Sequence, residues 1–112
     1  MARSGIPRIL WRWGSVAVAG DSMAPTYISG DWLIVRWGGR YKVGEVVLVE
    51  REDRPGVFLV KRLVRIDDGE FWVQGDNKSS STDSRQWGAI TSKEVLGKVV
   101  FRFRKARSVT SI

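Results

Sequence analysis

Histidine and cysteine are both absent from this 112-residue chain. Their absence excludes, in one step, the Ser-His-Asp triad, the Cys-His dyad, imidazole or thiolate zinc sites, disulfides and thiol redox chemistry. Catalysis here must therefore use Ser, Thr, Lys, Tyr or carboxylate groups, and no metal and no cofactor is expected. Long apolar runs are missing too. The longest charge-free stretch, Ser22 to Gly30, is short and rich in polar and turn residues, whereas a membrane span needs about 18 consecutive apolar residues. The opening MARSGIPRILWRWGSVAVAG is basic at its start, but Arg12 interrupts the only apolar region, which argues against a secretory signal. The expectation is a cytoplasmic chain without a transmembrane segment. A peripheral alternative comes from Ile9, Leu10, Trp11 and Trp13 beside Arg3, Arg8 and Arg12, a composition suited to a membrane surface.

What is present is a globular composition: 43% hydrophobic and 28% charged residues, with six Trp, place the chain outside the disordered and collagenous classes. The length suits one domain with a single modest core. Apolar β-branched runs separated by turn residues predict strands at Ser15–Ala19, Trp32–Arg36, Val46–Glu50, Val57–Arg65, Phe71–Gln74 and Gly97–Phe103. Glu52–Gly56, Asp67-Asp68-Gly69 and Gly38-Gly39 supply the turn chemistry between them. One short helical turn is predicted at Thr91–Leu96, capped by Thr91 or Ser92 and stopped by Gly97. The fold class is thus mainly β, with about six strands. Three stretches divide the chain: a basic, Trp-rich segment at 1–14, a folded unit at 15–104 and a basic tail at 105–112.

The formal charge is +7, and Lys98, Arg102, Arg104, Lys105 and Arg107 cluster near one end. Phe101 and Phe103 alternate with Arg102 and Arg104, which is strand periodicity. The Trp residues are scattered rather than interleaved with this cluster, so it reads as a solvated strand face and tail, and no nucleic-acid partner is expected.

Three segments are able to carry chemistry. In Gly20-Asp21-Ser22-Met23-Ala24-Pro25-Thr26 a hydroxyl residue follows an apolar strand and precedes a stiffened turn; Gly20 permits close backbone approach and Pro25 limits the exit. Ser22 is there either a nucleophile held in place or a turn former bonding its own backbone. In Val57–Val64 both strand faces are apolar, so consecutive Lys61 and Arg62 cannot both reach water freely if either face meets the core. Lys61 is the one able to respond by losing its proton and acting as a base, unless it snorkels from a sheet edge. The third segment, Gly75-Asp76-Asn77 through Ser81, Asp83, Ser84 and Arg85, is too polar for a core. It is either an ordinary loop or one that braces a site through hydrogen bonds and ion pairs.

Taken in order, these motifs resemble the signal peptidase I type of Ser-Lys serine endopeptidases. The match comprises Gly20–Thr26 with Gly30-Asp31, then Val60-Lys61-Arg62, then Gly75-Asp76-Asn77 with Ser81, Asp83, Ser84 and Arg85, and it runs from about Val18 to Val99. The resemblance implies a compact signal-peptidase-like β fold with 15–104 as its catalytic domain. It implies Ser22 as nucleophile, Lys61 as general base and Ser81 as the hydroxyl that orients the amine. Arg62 with Asp76, and Asp83 with Arg85, would be supporting ion pairs. The Ser22 backbone N–H is the expected oxyanion donor; Gly20 stands where some members add a Ser hydroxyl, and Tyr27 where Leu is usual. Val16, Val18 and Met23 are expected to meet an extended protein substrate, Val16 and Val18 as a strand edge.

The family's transmembrane anchors and its large insertion before the Gly-Asp-Asn motif have no counterpart in these 112 residues. In size and in its Gly20-Asp21-Ser22-Met23 segment the chain is similar to the nickel-type superoxide dismutase maturation proteases, which implies removal of the N-terminal extension of a nickel superoxide dismutase precursor. The alternatives are a general signal peptidase acting at a membrane surface, a relative of the self-cleaving repressors, and a non-catalytic basic binding module. The absence of a DNA-binding helical domain and the fuller Gly-Asp-Asn to Ser-Arg motif count against the repressor type.

Overall fold

The computed structural model describes residues 12–106. The expectations placed on Arg3, Arg8, Ile9, Leu10, Trp11 and Arg107 lie outside the described residues. Alternating and β-branched runs become seven strands: β1 Trp13–Ala17, β2 Trp32–Trp37, β3 Val46–Glu50, β4 Phe58–Asp67, β5 Glu70–Gln74, β6 Ile90–Thr91 and β7 Val95–Arg104. They form one curled antiparallel sheet in the order β1-β2-β7-β3-β4-β5-β6. The described residues include little helix: the four-residue α1, Ser84–Trp87, and 3-10 turns at Lys78–Ser80 and Ser92–Glu94.

The period-two pattern decides which side chains meet. In β2, Leu33 and Val35 are fully buried while Trp32 and Ile34 are half-buried. The main core joins Val47 and Val49 of β3, Leu63 of β4, Phe71 and Val73 of β5, Ile90 of β6 and Val95 of β7. Burying a side chain of this size contributes about 1.5–3 kcal/mol, so these seven residues hold together the strands that carry Lys61 and its neighbours. Gly97 is required where β7 crosses β2, because an added Cβ would stand 2.5 Å from the Arg36 carbonyl oxygen. The β4–β5 hairpin turns at Asp68 and Gly69, both in the left-handed region (φ 51° and 78°), as the Asp-Gly pair predicts.

The mainly β expectation of about six strands is met by seven among the described residues, the extra one being the two-residue β6, since Ile90-Thr91 is too short to show a period. Two expectations are corrected. The strand expected at Ser15–Ala19 begins and ends two residues earlier, at Trp13–Ala17, and the chain at Val18 leaves β1 for the turn that follows. The helical turn expected over Thr91–Leu96 shrinks to Ser92–Glu94, held by Glu94 Oε1 accepting from Thr91 N–H (2.8 Å). Val95 and Leu96 pass into β7, and Gly97 lies inside that strand rather than ending a helix. At the far end of β7 the alternation holds, with Phe101 and Phe103 exposed and Arg102 turned onto the buried Asp31 (3.3 Å).

Candidate active site

The Ser22 turn is held at both ends. Val18 N–H donates to Asp31 O and Gly30 N–H to Val18 O, both at 2.8 Å, closing the loop that leaves β1 and returns to β2. The Asp31 carboxylate, 1% exposed, accepts from Ile28 N–H (2.9 Å), Ala106 N–H (2.7 Å) and Arg102 (3.3 Å). Burial alone would raise its pKa, but these donors outweigh it and hold the carboxyl below the ordinary value. Inside the loop, Gly20 adopts φ +83°, and Met23, 1% exposed, anchors the turn in the interior. Ser22 O accepts from Asn77 N–H (2.8 Å), and Asn77 Nδ2 donates to Asp21 O (3.1 Å). The polar third segment therefore grips the serine turn through its backbone. Among the described residues no backbone acceptor engages the Ser22 N–H.

Lys61 lies in the interior strand β4, one side chain before the fully buried Leu63 on the same face, and is 3% exposed. It does not snorkel. Burial lowers its pKa; nearby Asp83 opposes that shift and Arg85 reinforces it. The amine Nζ donates to Ser81 Oγ at 2.9 Å, and Ser81 Oγ in turn donates to Asp83 Oδ2 at 2.6 Å. Asp83, whose side chain has no exposure, also accepts from Gly75 N–H (2.8 Å) and from Arg85 Nε (2.9 Å). Desolvation would raise its pKa, yet hydrogen bonds from Arg85, Ser81 and the Gly75 and Arg85 backbones hold it well below the usual carboxylate range. The carboxylate stays ionised, so the Ser81 hydrogen points to Asp83 and a Ser81 lone pair faces Lys61.

A second ion pair braces the other face of β4. Arg62 meets Asp76 in a fork, Nε to Oδ1 at 3.0 Å and Nη2 to Oδ2 at 2.7 Å. The Arg62 contact lowers the Asp76 pKa first, against burial, with Thr26 adding to the lowering. Thr26 Oγ1 donates to Asp76 Oδ2 at 2.6 Å, which ties the far side of the serine turn to the same carboxylate.

Between the serine turn and β4 lies a pocket of about 100 Å³ lined by Ala17, Val18, Ala19, Ser22, Met23, Phe58, Leu59 and Val60. Of the expected substrate-binding residues, Val18 and Met23 line it. Val16 does not; it sits opposite Leu33 in the β1–β2 ladder. Among the described residues β1 pairs only with β2, and β4 pairs with β5 only from Arg62 onward. The β1 edge and the Phe58–Lys61 edge are thus both free on the sides that flank the pocket.

The motifs quoted from the sequence contain Gly75, Asn77, Thr26 and Val60, but their spacing assigns them no role. A Cβ at Gly75 would overlap Ser81 Oγ and stand 2.5 Å from Ser22 O, so only glycine lets the serine turn and Ser81 approach. Phe58 and Leu59, which wall the pocket, carry no signal in the sequence. Asp83 followed by Gln86 was a legible capping box. It starts α1, with Asp83 accepting from the backbone and Gln86 Oε1 accepting from Asp83 N–H (2.8 Å).

One curled antiparallel sheet thus carries both a strand-end serine turn and, across Gly75 and Ser81, a buried lysine whose amine is held by a hydroxyl. Residues 13–100 match the Peptidase S24-like family, and the chain belongs to it. Among curated proteins it is 30% identical over 117 residues to mitochondrial inner membrane protease subunit 2 of Schizosaccharomyces pombe, covering 80% of this chain and 65% of that protein. It is also 30% identical to mitochondrial ATP-independent inner membrane protease subunit 1a of Arabidopsis thaliana, over 76% of this chain and 67% of that protein. Thylakoidal processing peptidase 1 of the same plant is 31% identical over 66% of this chain, which spans 22% of its length. The chain thus spans two thirds or less of these relatives. Among the described residues no helix is long and apolar enough to cross a membrane.

Proposed function

We propose that this chain is a Ser-Lys endopeptidase that removes an N-terminal extension from a protein precursor. Neutral Lys61 takes the Ser22 hydroxyl proton as Ser22 Oγ bonds to the scissile carbonyl carbon, and the Ser22 N–H receives the oxyanion. The C–N bond then breaks, with protonated Lys61 returning its proton to the leaving amine. Water, deprotonated by the same amine, opens the ester and regenerates Ser22. Ser81 holds the amine by one N–H, leaving its lone pair for Ser22. The observation that carries this reading is the burial of Lys61 with its amine on Ser81, joined through Gly75 to the turn that bears Ser22.

The substrate lies extended between the free edges of β1 and β4, pairing by backbone hydrogen bonds. The pocket at Ser22 suits a small apolar side chain such as Ala, given its volume of about 100 Å³ and apolar walls. As substrate we propose a nickel-type superoxide dismutase precursor, processed in the cytoplasm, on the ground of the chain's size and its Gly20-Asp21-Ser22-Met23 segment. A second reading, a general signal peptidase at a membrane surface, draws support from the names of the inner-membrane and thylakoidal relatives and from exposed Trp13 and Trp37.

Mass spectrometry of the nickel superoxide dismutase precursor after incubation with the purified chain tests both, with Ser22→Ala, Lys61→Ala and a secretory precursor as controls. One cut at the mature N-terminus without lipid, lost in both variants, is the expected result. Cutting of the secretory precursor alone, or only with vesicles, favours the membrane reading. No cutting of either, with a steep salt dependence of binding, favours a basic binding module.

A further inference from the structure

A larger recess adjoins the pocket at Ser22 and shares Leu59 with it as a common wall. Its remaining lining is Arg51, Arg54, Val57, Thr82 and Trp87, and its volume is about 260 Å³. The chain between β3 and β4 builds the mouth. Arg54 N–H donates to Arg51 O (3.0 Å) and Val57 N–H to Arg54 O (3.2 Å), so a tight turn brings both guanidinium groups to one opening. The Arg51 guanidinium lies over the Trp87 ring, 4.3 Å from its centroid, which fixes its plane.

Acidic neighbours engage Arg51 in part: burial would raise the Glu94 pKa, but hydrogen bonds from Thr91 and Glu52 and the charge of Arg51 hold it below the ordinary value. Glu50 accepts from Gly56 N–H (2.7 Å), and Glu94 from Glu52 N–H (3.0 Å) and Thr91 N–H (2.8 Å). Asp53 reaches Arg51 at 3.2 Å, but its side chain is 66% exposed, and such a surface pair is worth little. Among the described residues Arg54 forms no ion pair. Apolar walls below two guanidinium groups match an amphipathic anion: methylenes on Val57, Leu59 and Trp87, a carboxylate at the mouth.

We propose that this recess is a specificity subsite for an acidic side chain of the substrate, two residues along from the one seated beside Ser22. In an extended chain, side chains two residues apart point the same way about 6.8 Å apart, and Val57, immediately before β4, stands two residues from the shared wall Leu59. The inference rests on the endopeptidase reading above. It adds that recognition extends past the small residue at the cut to a charge.

The test uses fluorogenic peptides with Ala before the scissile bond and Glu, Gln or Lys two residues to either side of it. The wild-type chain should prefer Glu over Gln by about tenfold in kcat/KM at one of those positions, the worth of one charge-assisted contact. That preference should shrink as salt rises. Arg54→Glu should turn the preference toward Lys, and Arg51→Gln with Arg54→Gln should bring the Glu/Gln ratio near one. Arg65→Gln, whose guanidinium lies over Trp72 on another part of the surface, should keep the wild-type ratio. Cleavage of all peptides at equal rates, or a Glu preference that survives Arg54→Glu, overturns the subsite while leaving the endopeptidase standing. Failure to cut any peptide removes both together.

Discussion

Ser81 Oγ lies 2.6 Å from Asp83 Oδ2 and commits its single proton there. The hydroxyl therefore has only lone pairs to offer Lys61, and the amine must present an N–H rather than its own lone pair in that direction. Ser81→Ala should leave Asp83 satisfied by Gly75 and Arg85 while freeing the amine to rotate. We expect kcat to fall by about 10²-fold, the order seen for a misplaced reacting group, with melting temperature nearly unchanged. A rate within twofold of wild type would remove Ser81 from its positioning role.

Lys61 should cost stability for the same burial that suits it to the proposed role of base. Its lowered pKa means the folded state resists protonation, so the penalty is full below the folded pKa and fades as pH rises toward the unfolded value near ~10.4. Lys61→Met, similar in volume, should be inactive yet more stable at pH 7 by about 1 kcal/mol. The gap should narrow in alkaline denaturant titrations. The rate should climb with pH along a limb whose midpoint lies below that of a free lysine, since the neutral amine is the active form.

Asp83 has the opposite sign. Its folded pKa is depressed, so its contribution is present above the unfolded value near ~3.9 and is lost as pH falls toward the folded one. Asp83→Asn should destabilise the chain at pH 7 by about 3 kcal/mol, the scale of breaking a buried pair. It should also flatten the loss of stability below pH 4. Urea melts at pH 7 and pH 3 measure both effects, and equal sensitivity of wild type and variant to acid would count against the assignment.

Gly75→Ala isolates proximity from chemistry, because the added methyl must displace the Ser22 carbonyl, the Ser81 hydroxyl, or both. We expect a loss of about 10²-fold or more in kcat while every titrating group remains present. The far-ultraviolet spectrum should still report the sheet. Normal turnover in this variant would show that the two segments need not touch.

Much of the sheet was legible because β-branched runs such as Val46–Val49 leave few alternatives, and the Asp68-Gly69 hairpin announces itself chemically. The partial desolvation of Lys61 or Arg62 followed from alternation alone, but which of the two is buried depends on Leu63 facing the core, a tertiary fact. Ser22, Lys61 and Ser81 were named through a resemblance; their spacing alone left Ser22 an ordinary turn former. Phe58–Val60 as a pocket wall was not legible, since it depends on how far β5 runs alongside β4 before turning away. Val16 lies within β1, whose edge the proposed substrate would pair with, while the pocket beside Ser22 is lined by Ala17, Val18 and Ala19 instead.

The sheet order has a consequence for assembly. The serine turn follows β1, in the β1–β2 pair, and Lys61 belongs to the β3–β6 group; β7, the last described strand in sequence, is inserted between them. Neighbouring bonds such as Thr26 to Asp76 likewise span 50 residues of chain. Contacts so distant in sequence form late. A chain emerging during synthesis holds the Ser22 turn and Lys61 on separate pieces of the sheet until β7 pairs with both β2 and β3, so the site proposed above comes together only when the sheet closes.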